Sequence, residues 1–368
     1  MSLLHHLRSL HSLAPANKDH VSAWRVAISV AVPSLVLLAA GRPELIGYAV
    51  FGALTGMYGR TEPHQLRLIH QGQAAVLLLA GVGVGVFLSV QHIHSWVLVI
   101  TEAAFAGAGS LFADRTALKP AGPFFGILAL GACASVPAAV PWHACVLIAA
   151  GSAAFAIIVG FCGWFVDRGW RSGWRNRLKS WRSRLKSWRR DVTALHGTSR
   201  RAARLHAARY VAAVGTAGTL GVLSGSGHPH WAMAAAAVPL AGADLPSSVY
   251  RGLHRIVGTL LGLVVVAAIL FPWPGSLLLA FPGQEAAVLA CLVIALQFST
   301  ELFMTRHYGL AMVSFTPVIL LIGQLAAPAD PYVLITERAV ETGVGAVVGI
   351  LAVLLIRRRR PAVPRRVS

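Results

Sequence analysis

The sequence predicts an all-α polytopic membrane protein: about twelve transmembrane helices in two parallel six-helix repeats, with both termini cytoplasmic. Three observations carry this expectation. The 368 residues are 56% hydrophobic and 12% charged, roughly half the charged fraction of a soluble domain. The mean hydropathy is +0.66. The basic residues gather in short loops on alternate sides of the apolar runs, which is how the positive-inside rule is written into a chain.

The runs follow from the need for about 20 apolar residues to cross the hydrocarbon. They fall near 22–40, 44–59, 71–90, 93–112, 121–140 and 142–166 in the first set. A second set falls near 208–225, 229–245, 256–272, 284–303, 309–326 and 337–356. Pro33, Pro239 and Pro317 lie inside runs, where neighbouring helices can satisfy the carbonyls that proline frees. The organisation is a first repeat over 1–166, a basic linker over 167–207, a second repeat over 208–356 and a basic tail over 357–368.

Net charge sharpens the topology. Lys+Arg number 32 against 13 Asp+Glu, a formal net of +19. So basic a balance could fit nucleic acid, but its confinement to loops fits membrane topology, and no nucleic-acid partner is expected. With a cytoplasmic amino terminus, Arg25, Arg60, Arg67, Arg115, Lys119, Arg251, Arg255 and Arg306 collect on the inner side. Arg42 and Arg338 fall on the outer side.

The halves repeat. Pro43 and Gly72 match Pro229 and Gly258 at one offset of 186. Trp24-Arg25-Val26 parallels Ala208-Arg209-Tyr210, and Leu111-Phe112 with Arg115 parallels Leu302-Phe303 with Arg306. An even number of spans per half makes the repeats parallel, a plan common among transporters. In the linker, WRNRLKS and WRSRLKS follow one another. Trp170, Trp174, Leu178, Trp181, Leu185 and Trp188 share one helical face. Residues 170–190 are therefore expected to lie on the anionic inner leaflet, with packing under the bundle or partner binding as alternatives.

Chemistry in such a chain must come from charges placed where they are costly. Glu102 sits in mid-span and Glu341 about a turn inside the last span. They are candidates for proton coupling, together with His230, which flanks Pro229 with His228. Glu301 and Asp244 close other spans. The bland reading of each is a pair with a nearby arginine. Candidate substrate contacts are Arg25, Arg209, Arg255 and Arg306, with Arg115 an inner-mouth ring, and the intramembrane amides Gln73 and Gln297. Gln324 is a further intramembrane amide. Such a ring suits an anion funnel, and simple topology would also place basic residues there. Cys133, Cys145, Cys162 and Cys291 lie in apolar runs without a CxxC pair, so neither a metal site nor a disulfide framework is expected. No P-loop, H-E-x-x-H or G-x-S-x-G occurs. The chain is therefore expected to be no enzyme and to need no cofactor.

His230-Trp231-Ala232, then Arg251 and the run Arg255-Ile256-Val257-Gly258-Thr259-Leu260-Leu261-Gly262, resemble the fusaric acid resistance (FUSC) family. Tyr308-Gly309-Leu310 and Phe315-Thr316-Pro317 resemble its later helices. That family includes aromatic acid exporters and is related to plant aluminium-activated malate transporters. The resemblance marks Arg255, Gly258, Thr259 and Gly262 as motif positions. It implies proton-driven export of aromatic or other weak organic acids across a bacterial plasma membrane. The larger exporters carry a sizeable cytoplasmic domain where this chain has the Trp/Arg linker. The rival expectations are an organic-anion channel and a non-transporting, lipid-interacting scaffold. The expected partners are a small organic anion, membrane lipids and a second copy of the chain in a homo-oligomer.

Overall fold

The computed structural model describes residues 19–60, 62–92, 95–166, 200–242 and 244–356, and these residues hold helices and no strand. The first half contains α1 (Asp19–Ala39), α2 (Ile46–Ala53), α3 (His64–Val90), α4 (Ser95–Thr116), α5 (Phe124–Ser135) and α6 (Trp142–Val166). The second contains α7 (Arg200–Leu223), α8 (His230–Leu240), α9 (Leu245–Leu270), α10 (Glu285–Phe303), α11 (Tyr308–Ala326) and α12 (Pro331–Leu355). A single turn, Leu277–Ala280, lies between α9 and α10. The linker helix expected at 170–190 and the tail lie outside the described residues.

Each apolar run coincides with a helix, and among the described residues eight of these helices are long and apolar enough to cross a membrane. These are α1, α3, α4, α6, α9, α10, α11 and α12. Helices α5 and α8 are shorter. At 11 residues, α8 rises about 16 Å, half the hydrocarbon thickness. It needs no greater length, because every residue from His230 to Leu240 is buried. The same holds for the eight residues of α2. Short helices sit at the centre of the bundle with the largely buried α11, and other long helices carry exposed apolar side chains such as Ile100, Leu147, Val264 and Leu355.

Local chemistry fixes the ends. Asp244 caps α9 by accepting from the Ser247 backbone N–H, and the Ser247 hydroxyl accepts from the Asp244 N–H, a closed capping box. Asp330 caps α12 ahead of Pro331 by accepting from the Tyr332 N–H. Pro33, Pro239 and Pro317 are all inside helices, as the apolar pattern requires.

Helix pairings recur between the halves. α3 packs on α5 and α9 on α11; α3 on α6 and α9 on α12; α2 on α6 and α8 on α12. The fourth helix of each half crosses over: α4 packs on α7, and α10 packs on α1. Small residues make these approaches possible. A side chain on Gly52 would run into the Ala149 carbonyl, and one on Gly345 into the Ala232 carbonyl. The motif glycines Gly258 and Gly262 serve the same purpose, set against the backbone of Gly309 and Val313 on α11. Thr259 receives a hydrogen bond from the Thr316 hydroxyl at 3.4 Å.

Candidate functional site: a basic vestibule and a buried polar interface

At the end of the bundle where α1 begins and α4 finishes, a cavity of about 550 Å³ opens between the halves. Loops build its rim. Arg60 and Glu62 come from the connection between α2 and α3, Lys119 from that between α4 and α5, and Arg306 from that between α10 and α11. Arg251 projects from the first turns of α9. Four cations thus face two carboxylates, Glu62 and Glu301. The remaining lining is largely apolar, with Met57, Phe124, Phe125, Met304, Tyr308 and Met312.

The carboxylates are engaged in the wall. Glu62 pairs with His70, and its other oxygen lies 3.6 Å from Lys119 Nζ. Glu301 is fully buried on α10, with Arg60 Nη1 at 3.4 Å. Arg60 also donates from Nη2 to the Glu301 carbonyl at 2.9 Å. The Thr305 hydroxyl donates to Asp19 at 2.9 Å, so α1 is bound to the end of α10. On the matching crossover, the Asp114 carboxylate of α4 meets His206 Nδ1 of α7 at 2.9 Å. With its carboxylates occupied, the cavity presents net positive charge.

The sequence-predicted arginines divide. Arg306 lines the cavity. Arg255 is wholly buried behind its floor, its guanidinium carbon 5.3 Å from the Phe124 ring centroid. Nη1 donates to Met312 Sδ at 2.9 Å, while Nε and Nη2 have no hydrogen-bond partner. Arg25 stands beside the wall, donating to Ser22 at 3.0 Å and to the Arg60 carbonyl at 3.3 Å. Arg115 is exposed and Arg209 is buried on α7, and neither lines the cavity. The expected ring is therefore not one ring. Gln297 is buried one turn before Glu301, its amide 3.8 Å from Met57 Sδ. Gln73 is half-buried on α3 and not in the lining. Asp244 and Gln324 are structural: one caps α9 and the other hydrogen-bonds the backbone of Ala329.

Deeper in the bundle, toward the opposite end, the three proton-coupling candidates sit around the contact of the two halves. Glu102 of α4 is fully buried, and neither carboxyl oxygen has a hydrogen-bond partner. Its Oε2 and the His230 ring carbon Cγ each lie 3.1 Å from where a Cβ on Gly131 would stand. Glu102 and His230 therefore both border this glycine of α5. His230 Nδ1 is 2.8 Å from the Ser135 hydroxyl. Glu341 of α12 approaches Gly221 of α7, 3.1 Å from its would-be Cβ. Sequence reasoning missed Arg338, buried one turn before Glu341 with Nε, Nη1 and Nη2 all lacking hydrogen-bond partners. The signal was present, since an arginine two turns inside an apolar helix is costly wherever its side chain points.

Among the described residues no group of His, Cys, Asp or Glu is arranged to hold a metal ion. Cys133 and Cys145 are buried, and Cys162 and Cys291 are exposed.

A family described as "Fusaric acid resistance protein-like" matches residues 215–352. That segment holds the motif glycines, Arg251, Arg255, Glu301, Arg306 and Arg338, but not Arg60, Glu62 or Glu102. The chain is similar to the uncharacterized membrane protein YvaC of Bacillus subtilis (strain 168), 29% identical over 136 residues. The alignment takes in 37% of this chain and 20% of YvaC, so the chain spans about a fifth of the length of that curated relative. No solved structure matches the chain. With its apolar helices the chain is a multi-pass membrane protein, and over residues 215–352 it is similar to the fusaric acid resistance protein-like family.

Proposed function

We propose that the protein is a secondary transporter that exports aromatic or other weak organic acids, as anions, in exchange for protons. The observation that carries this reading is the vestibule, where Arg60, Lys119, Arg251 and Arg306 surround an apolar floor. A weak organic acid is a carboxylate on an apolar body. A basic rim gathers the first, and Phe124, Phe125 and Met312 accept the second. Arg255 lies directly behind that floor, a buried guanidinium with free donors.

The positive-inside rule puts the vestibule, with both termini, on the cytoplasmic face of a bacterial plasma membrane. An inside-negative potential then favours outward movement of an anion by about 2.3 kcal/mol per charge per 100 mV. The recurring helix pairings support reading the halves as parallel repeats, with the path along their contact. Glu102 and His230 both border Gly131 on that contact, and Glu341 lies nearby, so these three are assigned the coupled proton. Arg25, Arg209, Gln73 and Gln297 remain candidates for shaping the path.

The test is reconstitution into liposomes with a panel of aromatic and aliphatic carboxylates, with and without a pH gradient. Saturable movement that needs the gradient in wild type, and is lost in Glu102→Gln at unchanged protein level, is the expected result. Unchanged movement in that variant ends the role of Glu102. The buried Arg255, whose Nε and Nη2 have no hydrogen-bond partner, equally suits an anion channel. In that case movement follows voltage alone.

A further inference from the structure

Arg338 poses an electrostatic problem that the vestibule does not solve. It lies about 10 Å into α12 from the end opposite the vestibule, wholly removed from water. No ion pair within 4.0 Å is found for it among the described residues, and none of its guanidinium nitrogens has a hydrogen-bond partner. An isolated buried cation is costly unless paired. The charged and titratable groups around it do not supply a direct partner. Glu337 is taken by His228, whose Nδ1 is 2.5 Å from Oε2. His230 is held at Ser135. Glu341 is within electrostatic reach, as is Arg255, which repels.

What does face Arg338 is an aromatic ring. Its guanidinium carbon lies 5.1 Å from the centroid of Trp231. The Trp231 ring is stacked on the His228 imidazole at 4.2 Å and 8°. The His228–Glu337 pair therefore holds the indole in place. A cation–π contact is a weak substitute for a carboxylate, and it uses none of the five N–H donors.

We propose that Arg338 is a carboxylate site of its own, on the far side of the bundle from the vestibule, and that Trp231 occupies it in this conformation. Its ligand is an organic monocarboxylate, an identity that rests on the transport reading above. When the acid arrives, its oxygens take the guanidinium donors and the indole leaves. Trp231 thus closes the far end while the vestibule is open, and Arg338 receives the anion once that end gives way.

Binding separates this proposal from transport. The probe is benzoate, titrated against purified full-length protein in lipid nanodiscs by isothermal calorimetry. Removing the competing ring in Trp231→Leu is expected to tighten benzoate binding by roughly three- to thirty-fold, the equivalent of one cation–π contact. Adding Arg338→Gln to that variant is expected to erase the gain, whereas adding Arg306→Ala leaves it. Chloride in place of benzoate is expected to show no gain. Should Trp231→Leu fail to fold, Trp231→Phe and His228→Ala loosen the same ring and must tighten binding in the same direction. Unchanged or weaker benzoate binding, a gain that survives Arg338→Gln, or an equal gain for chloride overturns the site. Liposomes that move no acid while the gain persists would refute transport and leave the site standing.

Discussion

Arg60 and Glu301 pair across the two halves, the guanidinium from the loop after α2 standing 3.4 Å from a carboxylate that is fully buried on α10. This contact joins distant parts of the chain and also forms part of the vestibule wall. Removing one member of such a pair strands the other, whereas removing both strands nothing. Arg60→Met should therefore lower the stability of the detergent-solubilised protein by about 3–5 kcal/mol. The double variant Arg60→Met with Glu301→Met should recover much of that loss. Thermal unfolding of the three proteins measures the difference, and equal losses in single and double variants would show that the pair does not couple.

The vestibule cations should act on encounter more than on the translocation step. Arg251 and Arg306 line the cavity from different elements, and neither is fully buried. Neutralising both should raise the KM for a carboxylate several-fold with a smaller change in maximal rate, and should flatten the dependence on ionic strength. Initial rates in proteoliposomes at two salt concentrations decide it. A fall in maximal rate at constant KM would place these arginines in the moving parts.

Much of the fold was legible because apolar runs report their own helices, and each of the twelve coincides with one. Span length was not legible. An apolar run cannot say whether it faces lipid along its whole length or is enclosed by other helices, as α2 and α8 are. The deep residues Glu102, Glu341 and His230 could be picked out singly because a polar group in hydrocarbon is conspicuous. Their convergence around Gly131 and Gly221 could not, since it depends on α4 crossing to the other half. The vestibule was the hardest part to see. Arg60, Glu62, Lys119 and Arg306 sit in separate loops, where a basic residue reads first as topology.

Asp244 offers a control for those site assignments. At the end of a run it resembles an intramembrane carboxylate, but it is exposed and closes the capping box of α9 with Ser247. Asp244→Ala should cost about 1 kcal/mol of stability and leave the KM for any transported acid unchanged. Asp244→Asn, which keeps an acceptor at the cap, should restore most of the loss. A strong transport defect in the asparagine variant would mean that the carboxylate charge itself is used.

The glycines on α12 test whether close backbone contact holds α8 in the centre. Gly345 and Gly349 lie against the carbonyls of Ala232 and Ala236, so that even a methyl group would overlap backbone atoms. Backbone cannot rotate away as a side chain can, and α8 has buried neighbours on every side. Gly345→Ala should therefore force α8 and α12 apart. The expected cost is about 1–3 kcal/mol, the usual penalty for overpacking a tight core. Gly343 on the same helix has nothing within 4 Å of its would-be Cβ. Gly343→Ala should be neutral or slightly stabilising, because alanine is the better helix former. Comparing folded yield and thermal midpoint for the two variants isolates the packing effect from helix propensity. Equal behaviour would mean that α8 and α12 are not held at the separation seen here. The approach of Trp231 to Arg338, which depends on that separation, would then have to be reconsidered with it.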